Sequence, residues 1–256
     1  MEIAVIGSGI SGLSSALLLS SKYKITLIEN DDRFGGHANT VNVKIDKDTI
    51  PVDTGFIVYN KLNYPNLVGF FDYLKVETVS SDMSFAVSSR NGMLEYSGSL
   101  AGLFAQKKNL FNLKFYKMLK DIIVFFIFGY KYAFAIKDDE SLKDYLKRCK
   151  FSDEFINDHL IPMSSAIWSC PENEILNFPA KSLLTFFKNH QLINFIVRPK
   201  WRTVKNGSRE YVKKVIKELE KKSNNNLFLN TKIESISIEK NKIKINFGKN
   251  SKTFDK

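Results

Sequence analysis

The chain has 256 residues, 44% of them hydrophobic and 25% charged, enough apolar material for one large or two small globular domains. Its formal charge of +11 does not predict a nucleic-acid partner, because the lysines are dispersed among Asp and Glu and form no basic run. Cys149 and Cys170 are far apart and belong to no CxxC pair, which excludes a disulfide framework or zinc knuckle and predicts a cytoplasmic protein without a secretory signal.

In chain order, Glu2–Ile6 is an apolar, β-prone run that passes directly into the glycine-rich string Gly7–Gly12. The small apolar stretch Leu13–Leu19 predicts a helix packed on a sheet, and Lys24–Glu29 predicts a second strand. Together they make a minimal βαβ unit in about 30 residues. Thr40–Ile45 alternates apolar and polar and, through Asp46–Asp48, predicts a hairpin returning along Ile50–Val52. Helical spacing marks Tyr64–Leu74, and Arg90-Asn91-Gly92 predicts a tight hairpin between Met83–Ser89 and Met93–Tyr96. From Leu100 to His190 the pattern is mostly helical, with breaks expected at Pro162, Pro171 and Pro179. An amphipathic helix with Ser208 as N-cap covers Ser208–Lys222. Strands follow at Leu227–Leu229, Lys232–Ile238, Lys242–Phe247 (after a turn at Lys240-Asn241) and Thr253–Phe254.

The string Gly7-Ser-Gly9-Ile10-Ser11-Gly12 fits a dinucleotide-binding turn. Gly7 permits the turn out of the strand, Gly9 lets backbone approach a pyrophosphate, and Gly12 lets the helix sit close on the sheet. The helix start at Ile10 and Ser11 offers free N–H groups and a positive dipole end to phosphate. Glu29, with Asn30 beside it, ends the second strand where a carboxylate accepts ribose hydroxyls. NAD and FAD both use such a unit, so this motif alone leaves the cofactor open.

The next segment, Arg33-Phe-Gly35-Gly36-His37-Ala-Asn-Thr40, resembles the second glycine motif of the large FAD family that includes amine oxidases and phytoene desaturases. The resemblance implies FAD, with Gly35 and Gly36 passing over its phosphates and Arg33 countering their charge. His37 stands where many relatives carry arginine and reads as a phosphate or flavin contact or as a local hydrogen-bonding residue. Val52-Asp53-Thr54-Gly55-Phe56-Ile57 is similar to the family segment beside the flavin ring, which points to Thr54 and Gly55. Trp201–Val212 resembles the later glycine turn and helix, with Asn206-Gly207 in place of two glycines, a change that an Asn tolerant of the left-handed region absorbs. Thr231–Ile236 is similar to the strand whose backbone meets adenine, which points to Ile233. The strings GGHANT, VDTGFIVYN, YPNL, SDMSF and AIWS (Ala166–Ser169) resemble most closely a bacterial branch of NAD/FAD-binding, amine-oxidase-like proteins.

The resemblance implies an α/β, Rossmann-like, glutathione-reductase-type fold with an interleaved, mostly helical substrate region. The expected limits are 1–98 for the βαβ unit and flavin-side segments, 99–200 for the substrate region and 201–256 for a return to the FAD-binding domain. In that family a further strand and a final glycine-rich motif follow the position of Phe254, so a complementary C-terminal polypeptide is an expected partner and the strand near Phe254 is expected to leave an open sheet edge. The implied activity is FAD-dependent oxidation of a small apolar, lipid-like substrate by hydride transfer to flavin N5. A non-catalytic or split fragment, and an NAD-dependent dehydrogenase, are the other readings. No catalytic side chain is identifiable. His159 and His190 lack partners at ligand spacing, so no metal is expected. Ile122–Phe128, flanked by Lys117, Lys120 and Lys131, is too short to span a bilayer. It reads as a buried helix or as an interfacial one that makes peripheral membrane contact.

Overall fold

The computed structural model describes residues 1–129, 136–137, 139–168, 170–190, 192, 200–239 and 241–256, so Lys131, Ser169 and Lys240 lie outside the described residues. Two compact units divide the chain: residues 1–81 with 200–256, and residues 82–199.

The first unit is built on a parallel sheet of β1 (Glu2–Ile6), β2 (Lys24–Ile28) and β10 (Asn226–Phe228), with β2 in the middle. Ile25, Thr26, Leu27 and Ile28 are all buried, as expected of a central strand covered on both faces. Helix α1 (Ile10–Leu19) connects β1 to β2 and buries Leu13, Ala16 and Leu17, so the small residue Ala16 lies on the packed face. Helix α10 (Arg209–Glu220) packs on α1 and buries Tyr211, Val212, Val215 and Leu219 on one stripe. The hairpin β3 (Thr40–Ile45) and β4 (Asp48–Asp53), helix α2 (Pro65–Tyr73), and the antiparallel strands β11 (Ile233–Glu239), β12 (Lys242–Phe247) and β13 (Asn250–Phe254) agree with the pattern in the sequence.

A small sheet was not anticipated. β9 (Trp201–Val204) lies between β5 (Tyr59–Asn60) and β6 (Thr78–Ser80), all antiparallel. β13 is the outer strand of its three-stranded sheet, in the order β11-β12-β13. Phe254 is buried with Ile28, Ile245 and Phe247, and the chain crosses from β13 to the outer edge of β1. There Asp255 N–H donates to Glu2 O (2.9 Å) and Ala4 N–H donates to Lys256 O (3.0 Å).

The second unit carries the hairpin β7 (Ala86–Ser89) and β8 (Leu94–Ser97), whose turn residues Arg90, Asn91 and Gly92 all have positive φ. Its helices are α3 (Leu100–Leu103), α4 (Leu113–Phe128), α5 (Leu142–Arg148), α6 (Asp153–Phe155), α7 (Ile161–Trp168), α8 (Glu172–Ile175) and α9 (Ala180–Asn189). Their core mixes Leu, Ile and Met with aromatic residues, with Phe115, Phe125, Tyr145, Phe155 and Phe187 buried together. Pro171 and Pro179 precede α8 and α9 as expected breaks, but Pro162 does not interrupt its helix. A single π-turn, Ile156–Leu160, leads directly into α7. Pro162 has no N–H for the carbonyl of Asp158 four residues back, and the Tyr96 hydroxyl donates to that oxygen instead (2.8 Å).

Candidate cofactor-binding site

The first glycine turn joins β1 to α1, and its three glycines have different reasons to be glycine. A Cβ on Gly12 would lie 1.9 Å from Gly7 O, so any larger residue drives the helix off the turn. Gly7 has φ +84, in the region that side chains disfavour. A Cβ on Gly9 meets no atom within 4 Å and the backbone there is ordinary (φ −63), so nothing in the polypeptide itself requires glycine. That open space adjoins the start of α1, where no side chain caps the first turn. It is a cradle of the kind that a phosphate fills against free N–H groups. Ile10 and Ser11, exposed on that first turn, contribute such groups.

Glu29 follows β2 and is buried, yet ionised, because three donors converge on it. Ser8 N–H (2.7 Å) and Ser8 Oγ–H (2.5 Å) donate to Oε2, and Asp31 N–H donates to Oε1 (3.0 Å). Burial opposes the charge, but the Asp31 and Ser8 donors together with the Asn30 backbone outweigh it and hold the carboxyl below its ordinary value. Ser8 does more than this. Gly35 N–H donates to both Ser8 O and Ser8 Oγ, at 3.1 Å each, so one buried serine joins the first glycine turn, the acidic residue and the second glycine turn. Ser8 is the site residue that sequence reasoning missed. Its position in the motif is fixed, but its hydrogen-bond partners lie 21 and 27 residues away.

The second turn packs on the first. Gly36 has φ +55, and a Cβ there would lie 3.0 Å from Gly9 Cα. Arg33 Nη2 donates to Gly36 O (2.9 Å), and Nη1 is buried without a hydrogen-bond partner among the described residues, a donor available to an anion. His37 is exposed and its carbonyl accepts from Phe56 N–H (2.8 Å). That contact brings Gly55 against the second turn, where a Cβ on Gly55 would lie 2.3 Å from His37 O. Thr54 N–H donates to Asn39 O (2.9 Å), so Thr54 and Gly55 sit exposed beside the glycine turn. Ile233 opens β11 and packs with Ile245 and Phe247. Two residues earlier, Thr231 N–H donates to Glu29 O (2.9 Å).

Ser208 precedes α10, but its side chain does not cap the helix. Asp53 Oδ1 accepts from Ser208 N–H (2.8 Å), Ser208 Oγ–H (2.8 Å) and Thr40 Oγ–H (2.6 Å), and Thr40 Oγ in turn accepts from Arg209 N–H (3.0 Å). A carboxylate and a hydroxyl from the β3–β4 hairpin therefore serve the helix start. Asn206 adopts the left-handed region (φ 65) in the turn before it. Among the described residues, no three His, Cys, Asp or Glu side chains group as a metal site.

A parallel sheet, two interlocked glycine turns and a buried ionised glutamate at the strand end define a dinucleotide-binding protein of the Rossmann class. The profile of the family described as flavin containing amine oxidoreductase matches residues 10–256, and the chain belongs to that family, a group of FAD-dependent oxidoreductases. Its fold is similar to an oxidoreductase from Methanosarcina mazei (16% identity, TM-score 0.65, covering 100% of this chain and 57% of that one). It is also similar to a cyclohexylamine oxidase from Brevibacterium oxydans (15% identity, TM-score 0.68, 99% and 56%). A putative protoporphyrinogen oxidase from Exiguobacterium is similar at 17% identity and TM-score 0.63, covering 99% and 58%. The chain thus spans a little over half the length of these solved relatives. No curated protein matches it significantly.

Proposed function

We propose that the chain holds FAD along the Gly7–Gly12 and Arg33–Gly36 turns and belongs to an oxidase acting on an apolar, lipid-like amine or related substrate. The observation that carries this reading is the node at Ser8, where an ionised Glu29 is fixed beside the open space at Gly9. Glu29 accepts the ribose hydroxyls. Gly9 and the first N–H groups of α1, at Ile10 and Ser11, take the pyrophosphate. Arg33 Nη1 balances phosphate charge, Thr54 and Gly55 pass beside the flavin, and the Ile233 backbone meets adenine. FAD, when bound, supplies an N5 that accepts a hydride from a substrate C–H bond, and oxygen or another acceptor then takes the electrons. A cofactor-binding chain with no turnover of its own is the second reading, since every residue assigned a role faces the cofactor and none a substrate.

Anaerobic addition of primary amines of increasing alkyl length to the FAD-saturated protein, followed by absorption, tests the proposal. Bleaching of the flavin bands that strengthens with chain length is expected. FAD binding without bleaching by any amine would favour the second reading, and failure to bind FAD would defeat both.

A further inference from the structure

Helix α4 has two apolar faces. One is buried and carries Phe115, Met118, Ile122 and Phe125. The other points outward: Leu113 is 86% exposed, Tyr116 44%, Ile123 48% and Ile127 56%, spaced as one stripe of a helix. Just before it, the 3₁₀ turn Lys107–Phe111 presents Phe111 at 89% exposure. This turn is held in place. Asn109 is buried and donates to Glu95 O (3.3 Å), Gln106 donates to Gly92 O (2.9 Å), and the Tyr116 hydroxyl donates to Leu110 O (3.1 Å). Asn112 then caps α4 by accepting from Lys114 N–H (3.0 Å). Large apolar side chains displayed on an anchored turn mark an interaction surface.

Charge identifies the occupant. Lys107, Lys108, Lys114, Lys117 and Lys120 are all exposed, and no Asp or Glu occurs from Tyr96 to Lys120. Lys117 is paired with Glu154 (3.0 Å), Lys120 lies within the stripe between Tyr116 and Ile123, and Lys107, Lys108 and Lys114 flank it in sequence. Surfaces that dock proteins are depleted in lysine, whereas lysines flanking exposed Phe and Leu suit an anionic lipid interface, with stems among the acyl chains and ammonium groups at headgroups. No helix among the described residues is long and apolar enough to cross a membrane. We propose that the turn Lys107–Phe111 and the outward stripe of α4 dock in the plane of an anionic lipid surface, with Phe111 and Leu113 inserted at the acyl boundary. The proposal stands independently of the flavin reading.

Co-sedimentation of the full chain with vesicles of phosphatidylcholine, alone or mixed with phosphatidylglycerol, tests it, with sedimentation equilibrium as a check on self-association. Binding to the mixed vesicles, weakened by salt, is expected. Phe111→Ser with Leu113→Ser should lower the partition coefficient roughly tenfold or more. Lys107→Gln with Lys108→Gln should lower it by about tenfold or more on the anionic vesicles alone. All four side chains are exposed, so the variants should keep the parent's circular dichroism. Equal partitioning of the serine variant, or no partitioning by the folded parent, would overturn the proposal. So would a dimer that the serine substitutions dissolve without any vesicle binding, since a second copy would then cover this face.

Discussion

Ser8 Oγ gives its one proton to Glu29 and accepts from Gly35 N–H, so neither glycine turn can shift without disturbing the carboxylate. Glu29→Ala should weaken FAD binding about tenfold to a hundredfold, the worth of a charge-assisted hydrogen bond. Ser8→Ala removes one of three donors and should cost roughly threefold to tenfold. Calorimetric titration with FAD measures both, and an unchanged affinity in Glu29→Ala would remove the ribose role from that residue. The glycines and Glu29 were legible in the sequence because their spacing is dictated by the turn and the strand they serve. Ser8 was not, because the second position of the motif has no backbone requirement and its meaning lies in partners across the fold. The Asp53–Ser208 contact, 155 residues apart in sequence, was hidden for the same reason.

At the scale of elements, helices and longer strands followed from periodicity, while β9 did not. Trp201–Val204 is four residues long, and its neighbours β5 and β6 lie more than a hundred residues earlier. The π-turn before Pro162 was equally hidden, since a proline reads locally as a break and the Tyr96 hydroxyl that donates to the Asp158 carbonyl is 62 residues away in sequence. That turn places His159 in the core, with Nδ1 2.8 Å from the Tyr96 hydroxyl and Nε2 buried without a partner among the described residues. Burial depresses the His159 pKa from 6.5 to about 4. The unfolded chain therefore binds a proton there before the folded one does. Stability from this residue is complete above the unfolded value of 6.5 and declines as pH falls towards 4, by at most about 1.4 kcal/mol per pH unit. Denaturant melts between pH 6.5 and 5 should show this decline, and His159→Phe should flatten it. An identical slope in the variant would mean that His159 is not neutral and buried in solution.

For the molecule as a whole, every residue assigned to the cofactor lies in the unit formed by residues 1–81 and 200–256, while the lysine-flanked apolar stripe lies in the other. The formal charge of +11 is therefore no guide to the ligand at the cofactor site, where the buried, ionised carboxylate of Glu29 is fixed on the first glycine turn. In the proposed binding mode Glu29 would accept the free ribose hydroxyls of FAD and would repel the 2′-phosphate of NADP. Titration calorimetry of the purified chain with FAD and with NADP tests this most directly. The account predicts that FAD binds more tightly; tighter binding of NADP would contradict it.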